Sequence, residues 1–191
     1  MADIPSHHFI YGTCLDYVTG EELVDTDDER VRQQILRLMV EEKGYAKECL
    51  QPRLTIETLF AKQFVVSKID LVVKINGLRL LLLRYGPGSL VSRERSAIAA
   101  ARVLDPGQRI PLAVVTNGAD AELLDTYSGM VLGNGLAAIP SLGELEAKVD
   151  LLEFSPYPEE KRERELRILN AYDVEVCCVG GPCALPQAPE G

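Results

Sequence analysis

The segment 65–73, VVSKIDLVV, is an apolar run with one carboxylate, Asp70, in its middle. A run of this length and composition is typical of a buried strand. Asn76-Gly77 follows and is a strong signal for a tight hairpin. The run LRLLLLRY at 78–85 then supplies the antiparallel partner. The centre of the predicted sheet is therefore a hairpin with Asp70 on its first strand and Arg84 at the end of its second.

Helices and further strands are predicted on both sides of this hairpin. Thr26 begins a capping-box sequence whose third following residue is Glu29, and Gly44 supplies the stop for that helix. The run 53–59 is extended, and the next helix, 90–104, has an Ala-rich face that favours close packing. Further along the chain we expect a buried strand at 110–116, an edge strand at 122–127, a short helix capped by Ser141 and a charged helix at 159–172.

Length and charge limit the organisation and the partners. The chain has 191 residues, which suits one domain over 1–150, followed by the charged helix and a loose Cys-bearing tail at 151–191. The net charge of −9 argues against indiscriminate binding to nucleic acid. Residues 60–116 nevertheless carry nine Lys and Arg against three Asp and Glu. This basic middle either forms a local groove for DNA or is spread over opposite faces of the fold.

No signal peptide or membrane segment is predicted, since the first ten residues are polar and the run 80–83 is too short to span a bilayer. Five unevenly spaced Cys do not form a secreted disulfide framework. We therefore expect a cytoplasmic protein.

Element order and local motifs together resemble a known family. Beside the hairpin strands, the motifs are Thr19-Gly20-Glu21, DDERVRQ at 27–33 and Val115-Thr116-Asn117-Gly118. Over about residues 16–150 the chain resembles the N-terminal nuclease domain of type I restriction enzyme R subunits, in the PD-(D/E)XK superfamily. The resemblance implies an α/β fold with a restriction-endonuclease-like α-β-β-β-α-β core, a mixed sheet and a C-terminal helical extension.

The resemblance also identifies a site with missing chemistry. The family's strand carboxylate corresponds to Asp70 and its helix carboxylate to Glu29, although a capping role alone explains Glu29. The family's Glu-X-Lys corresponds to Arg84-Tyr85-Gly86, and its Gln-X-X-X-Tyr helix signature corresponds to Ser96 and Ala100. Because Mg²⁺ needs oxygen ligands, Arg84 cannot replace the missing Glu. We therefore expect Asp70 to be a vestigial catalytic residue.

The hairpin register decides what faces Asp70. A two-residue turn places Asp70 opposite Leu83, whereas a three-residue loop that includes Leu78 places it opposite Arg84. We favour the second register. It leads to the hypothesis that Asp70 and Arg84, together with Lys68, form an internal ion pair.

The cysteines suggest a separate metal hypothesis. Cys14 lies near the start, and Cys177, Cys178 and Cys183 lie near the end. One early and three late thiols resemble the set with which some nucleases of this superfamily hold an iron-sulfur cluster, and a zinc site is an equivalent possibility. The alternative is that these residues are free thiols.

Three functions follow from the sequence. The first is a non-catalytic restriction-nuclease fold without cofactor that recognises DNA or a protein partner. The second is a Mg²⁺-dependent DNA endonuclease in which Glu94, Glu57 or Lys68 replaces the lost groups. The third is a structural subunit that pairs through the edge at 122–127 or through the charged helix. The oligomeric state stays open.

Overall fold

The computed structural model describes residues 10–60 and 63–173. Within these residues the strands and helices succeed one another in the order ββαβββαβββαα. The strands are β1 Ile10–Leu15, β2 Glu22–Thr26, β3 Leu50–Phe60, β4 Gln63–Ile75, β5 Leu78–Tyr85, β6 Leu112–Thr116, β7 Ala121–Asp125 and β8 Val131–Asn134. The helices are α1 Asp27–Arg37, α2 Val91–Val103, α3 Leu142–Lys148 and α4 Glu159–Asp173.

A six-stranded mixed sheet in the order β3-β4-β5-β6-β7-β8 forms the centre of the fold. Neighbouring strands are antiparallel except β5 and β6, which are parallel and joined through α2. This confirms the predicted α/β class, the mixed sheet and the C-terminal helix. The parallel step brings the ends of β5 and β6 to the same edge of the sheet, where the Gly86 N–H donates to the Thr116 carbonyl at 3.0 Å.

Helices cover both faces of the sheet. The residues of α1 pack with one set of sheet side chains, which includes Leu71, Leu81 and Leu83. Those of α2 pack with the opposite set, which includes Ile69, Val72 and Leu82. The Ala-rich face of α2 is buried as predicted, because small side chains let the helix approach the strands closely.

Helix α1 begins as the sequence predicted. Thr26 caps it, since its hydroxyl accepts the Glu29 N–H at 3.1 Å. A π-helical turn, Leu38–Glu42, extends the helix, and Gly44 ends it with a φ of 77°. Helix α3 is likewise capped by Ser141 in a full capping box.

The hairpin turn differs from the expected loop. Ile75 pairs with Leu78 around a two-residue turn in which Asn76 and Gly77 have φ values of 50° and 85°. A register shift follows, and Val73 then pairs with Leu81, so Leu80 forms a bulge. The three-residue loop was therefore wrong, although the bulge restores beyond it the register that such a loop would have produced.

Two further elements were not predicted. β1 and β2 form a separate antiparallel hairpin before α1. β8 pairs with β7, so the segment around 122–127 is not an edge of the sheet, and β8 takes that position. This corrects the expected edge strand. Among the described residues, no helix is long and apolar enough to cross a membrane.

Candidate active site

Asp70 lies where the regular alternation of β4 breaks. Ile69 and Val72 both pack on the α2 side, so Asp70 and Leu71 between them are directed to the α1 side. On β3, the residue facing this break is Arg53, which has a φ of 55° and stands between the paired residues of the β3–β4 ladder. Distortion of both strands therefore turns the carboxylate towards α1.

Both oxygens of Asp70 have donors. Oδ1 accepts Nε of Arg32 from α1 at 2.6 Å, and Oδ2 accepts the backbone N–H of Tyr85 at 2.7 Å. The Asp70 side chain is 9% exposed. Burial of a carboxylate is costly unless it is paired, and here a guanidinium and a main-chain amide supply the pairing.

Arg84 lies on the other side of the sheet. Its Nη2 donates to Oδ1 of Asp173 on α4 at 2.7 Å, and its Nη1 donates to Oγ of Ser96 on α2. The expected ion pair between Asp70 and Arg84 is therefore wrong. The physical reason is the break in β4, which directs Asp70 to α1 although the register alone would place the two residues opposite each other. Lys68 is exposed and takes no part in either pair.

Glu29 is close to Asp70 but is held by its own helix. Its carboxylate accepts Nε2 of Gln33 at 2.8 Å and lies 3.8 Å from Nη1 of Arg32. The expected return bond from its carboxylate to the cap residue is therefore replaced by contacts to Gln33 and Arg32. Arg32 thus bridges the two carboxylates that the resemblance assigned to the site.

A buried aspartate beside this cleft was missed by the sequence analysis. Asp16 is 2% exposed and accepts N–H groups from Val18 at 2.9 Å and Thr19 at 2.7 Å, as well as Nε2 of Gln33 at 3.0 Å and Nη1 of Arg53. Burial opposes ionisation, but these hydrogen bonds outweigh it and lower the pKa of Asp16 to about 2. An Asp at the start of a turn is the signal that could have identified it.

The cleft in front of Asp70 is lined by charged side chains of both signs. A cavity of about 210 Å³ opens there, and a deeper space of about 10 Å³ lies behind it against α1. The larger cavity is lined by two carboxylates and three basic side chains, together with two uncharged residues: Glu29, Asp70, Arg32, Arg53, Lys68, Thr55 and Ile69. Mg²⁺ requires several free oxygen ligands. Both carboxylates of this set are already engaged, Asp70 by Arg32 and the Tyr85 N–H, and Glu29 by Gln33 and Arg32. The residues present do not fit the metal.

The position of the missing lysine is filled from α2. Gly86 is buried, and a Cβ at this position would lie 2.4 Å from Cζ of Arg93. Nη2 of Arg93 donates to the Pro87 carbonyl at 3.1 Å. A guanidinium therefore occupies the space of any side chain at position 86.

The other candidate residues lie away from this cleft. Ser96 and Ala100 are both buried residues of α2. Ser96 contacts Arg84, and Ala100 packs in the core between α2 and the sheet. Glu94 contacts Glu122 of β7, where burial and then the charge of Glu94 raise the pKa of Glu122. Glu57 lies on β3 beside α4. Neither Glu94 nor Glu57 lines the cavity at Asp70.

The cysteine hypothesis is only partly accessible to the structure. Cys14 lies in β1 as a free, part-buried thiol, and burial raises its pKa. Cys177, Cys178 and Cys183 lie outside the described residues. In the part of the chain that the structure describes, no three His, Cys, Asp or Glu side chains converge in a way that could hold a metal ion.

Comparison with known proteins gives one match. A family model described as type I restriction enzyme R protein N terminus matches residues 27–140. That range contains α1, the strands from β3 to β8, and α2. No curated protein and no solved structure matches the chain.

Proposed function

Since the chain belongs to the family of the type I restriction enzyme R protein N terminus, we propose that it is a nuclease-like domain that has lost phosphodiester hydrolysis and acts in recognition. Its partner in this proposal is DNA. In the same proposal, residues 1–150 form the nuclease-like domain, the charged helix and Cys-bearing tail extend it, and the protein works in the cytoplasm.

The observation that carries the loss of hydrolysis is the pairing of Asp70. Both of its oxygens already accept hydrogen bonds, one from Arg32 and one from the Tyr85 N–H. Arg32 also forms an ion pair with Glu29. A divalent cation placed there would face a guanidinium a few ångströms away. At an effective dielectric constant near 20, like unit charges about 4 Å apart repel by roughly 4 kcal/mol, and a divalent ion doubles that figure.

The recognition of DNA is supported by the charges around the cleft. Arg32, Arg53 and Lys68 line it. Arg32 and Arg53 are paired with carboxylates, so the exposed Lys68 is the cation best placed to bind a backbone phosphate without any metal. A second candidate, a protein partner, is favoured by the sheet edge at β8. There Val131 and Leu132 are 38% and 56% exposed on the strand that ends the sheet within the described residues.

A nicking assay tests the loss of hydrolysis. Supercoiled plasmid is incubated with the protein and Mg²⁺ or Mn²⁺, next to an Asp70→Ala variant. We expect the same background nicking from both proteins and no Mn²⁺ binding by the wild type in paramagnetic titration. Nicking by the wild type that Asp70→Ala abolishes would overturn the proposal and support the endonuclease alternative.

A series of variants tests which residues prevent the site from binding a metal ion. Arg84→Glu with Gly86→Lys restores the family residues on β5, but the Arg93 guanidinium occupies the space of a side chain at position 86. We expect no Mn²⁺ binding by this pair, because Arg32 still engages Asp70 and the side chain at position 84 lies on the other side of the sheet. Adding Arg93→Ala and Arg32→Ala removes two guanidinium groups but leaves position 84 on that side, so we expect at most weak binding by the fourfold variant. Tight Mn²⁺ binding by the Arg84→Glu, Gly86→Lys pair alone would contradict the role given to Arg32.

A further inference from the structure

The docking of α4 on α2 depends on buried charged groups. Glu165 of α4 is 1% exposed, and its Oε1 accepts hydrogen bonds from Nη2 of Arg95 at 2.8 Å and from Nη1 of Arg102 at 3.2 Å. The Tyr157 hydroxyl donates to the same carboxylate at 2.8 Å. Two turns further along α4, Asp173 receives the Arg84 guanidinium at 2.7 Å. Two acids of one helix thus pair with three arginines, which leaves a net charge of +1 in the cluster.

A fourth arginine, Arg109, lies next to this cluster. Arg109 is 9% exposed and lies 3.6 Å from the Tyr127 ring centre. The Tyr157 ring lies between Arg102 and Arg109, 5.3 and 5.2 Å from their Cζ atoms. Within the described residues, Arg109 has no carboxylate in ion-pair range, and its Nε is buried without a hydrogen-bond partner. We call Arg84, Arg95, Arg102 and Arg109 the arginine track.

The fit between α4 and the arginine track is incomplete. Within residues 10–60 and 63–173, Nη1 of Arg95 and Oδ2 of Asp173 are buried without hydrogen-bond partners. A buried polar atom without a partner weakens an interface, because its hydration is lost and not replaced. Leu169 is the one fully buried apolar residue of α4, and Leu166 and Ile168 are partly buried against the same core. The hydrophobic area that opposes the release of α4 therefore comes mainly from these three side chains.

The spacing of the charges suits a polymer of phosphates. Arg95 and Arg102 are seven residues apart on α2, a rise of about 10 Å, and Glu165 and Asp173 are eight apart on α4, about 12 Å. One strand of duplex DNA advances about 3.4 Å per phosphate, so about three phosphates fall within this length. The guanidinium fork binds phosphate and carboxylate with the same geometry.

We propose that the arginine track is a binding surface for a nucleic-acid backbone and that α4 covers it with carboxylates in the place of phosphates. In this arrangement, a nucleic acid binds by displacing α4. The inference rests on the proposed role in DNA recognition, but it uses the α2 face, on the opposite side of the sheet from the cleft at Asp70. It also explains how a chain with a net charge of −9 restricts indiscriminate binding.

A matched pair of variants tests the proposal. Glu165→Gln with Asp173→Asn weakens the cover, and Glu159→Gln with Glu160→Gln makes the same charge change at exposed positions of the same helix. Fluorescence anisotropy with a labelled 20-nucleotide duplex and its single strand measures the dissociation constant at several salt concentrations. We expect about tenfold or tighter binding for the first pair, with a salt slope steeper by about 2 to 3. The second pair should differ little from the wild type.

Three controls make the result decisive. Adding Arg95→Gln and Arg102→Gln to the first pair should abolish the gain in affinity. Labelled polyglutamate replaces the DNA in a parallel titration, and equal or tighter binding to it would overturn the assignment to nucleic acid. Circular dichroism monitors folding. If the first pair fails to fold, hydrogen exchange of α4 in the wild-type protein, with and without saturating DNA at low salt, gives the answer.

The outcomes separate the two proposals. Unchanged affinity in the folded first pair, or unchanged α4 exchange with DNA present, overturns the arginine track. If DNA binding is then lost with Lys68→Gln, DNA recognition stands and belongs to the cleft at Asp70. If neither surface binds DNA, both the arginine track and the DNA part of the proposed function fall, while the nicking assay still decides hydrolysis.

Discussion

For single residues, the chemistry of the site depends on which basic side chain pairs with Asp70. Arg84 has the right position along β5, but Arg32 of α1 makes the contact at 2.6 Å. The sequence predicted that a guanidinium neutralises Asp70 and gave the wrong partner. The reason is local, since alternation along a strand assumes a regular pleat and β4 departs from it at this residue.

Arg32→Ala should leave the Asp70 carboxylate buried with one remaining donor, the Tyr85 N–H. We expect the free energy of unfolding in urea to fall by about 2 kcal/mol. Arg167→Ala is the control, because its pair with Glu163 is more than half exposed on both sides and should contribute under about 0.5 kcal/mol. Equal losses in the two variants would contradict the structural role given to Arg32.

Asp16 should make the protein sensitive to acid. Its pKa is lowered to about 2 in the folded state, so it binds a proton less readily than in the unfolded chain, where the pKa is about 3.9. The stability that it contributes, about 2 kcal/mol, is therefore present above about pH 4 and is lost as the pH falls towards 2. Asp16→Asn should flatten the unfolding free energy across this window. An unchanged pH dependence in that variant would refute the assignment.

At the element scale, strong local signals predicted the core of the fold. The Thr26 cap, the Gly44 stop, the Asn76-Gly77 turn and the buried run 110–116 each carry their own signal, and the structure confirms them. The bulge at Leu80, the β1–β2 hairpin and β8 were missed. These depend on pairing between strands, which a single segment does not encode.

The packing of α1 on the turn at Gly118 can be tested by substitution of two glycines. Gly118 and Gly88 both have a φ of 90°, but a Cβ at Gly118 would lie 2.5 Å from Cγ1 of Val31, and one at Gly88 would meet nothing within 4 Å. Either change to Ala should cost about 1 to 2 kcal/mol for the left-handed backbone. Gly118→Ala should cost about 1 to 3 kcal/mol more. Thermal denaturation measures the difference, which Val31→Ala should largely remove. Equal effects at the two glycines would mean that the contact has no energetic role.

At the scale of the whole molecule, the uneven charge of the sequence has a definite arrangement. The basic middle segment supplies Arg84, Arg95 and Arg102. The charged helix α4 supplies Glu165 and Asp173, which pair with them. Composition predicted either a groove or a dispersal over opposite faces. It could not predict that one part of the chain covers the other, because that depends on how α4 packs on α2.

Three guanidinium groups at or beside the residues that the resemblance assigned to the site come from three different elements, Arg32 from α1, Arg84 from β5 and Arg93 from α2. Each has its own partner or its own space, so the exchange of any one leaves the other two in place. Under the proposed loss of hydrolysis, a return to a metal centre therefore requires substitutions in several elements at once, and selection that acts on one exchange at a time has no functional intermediate to retain.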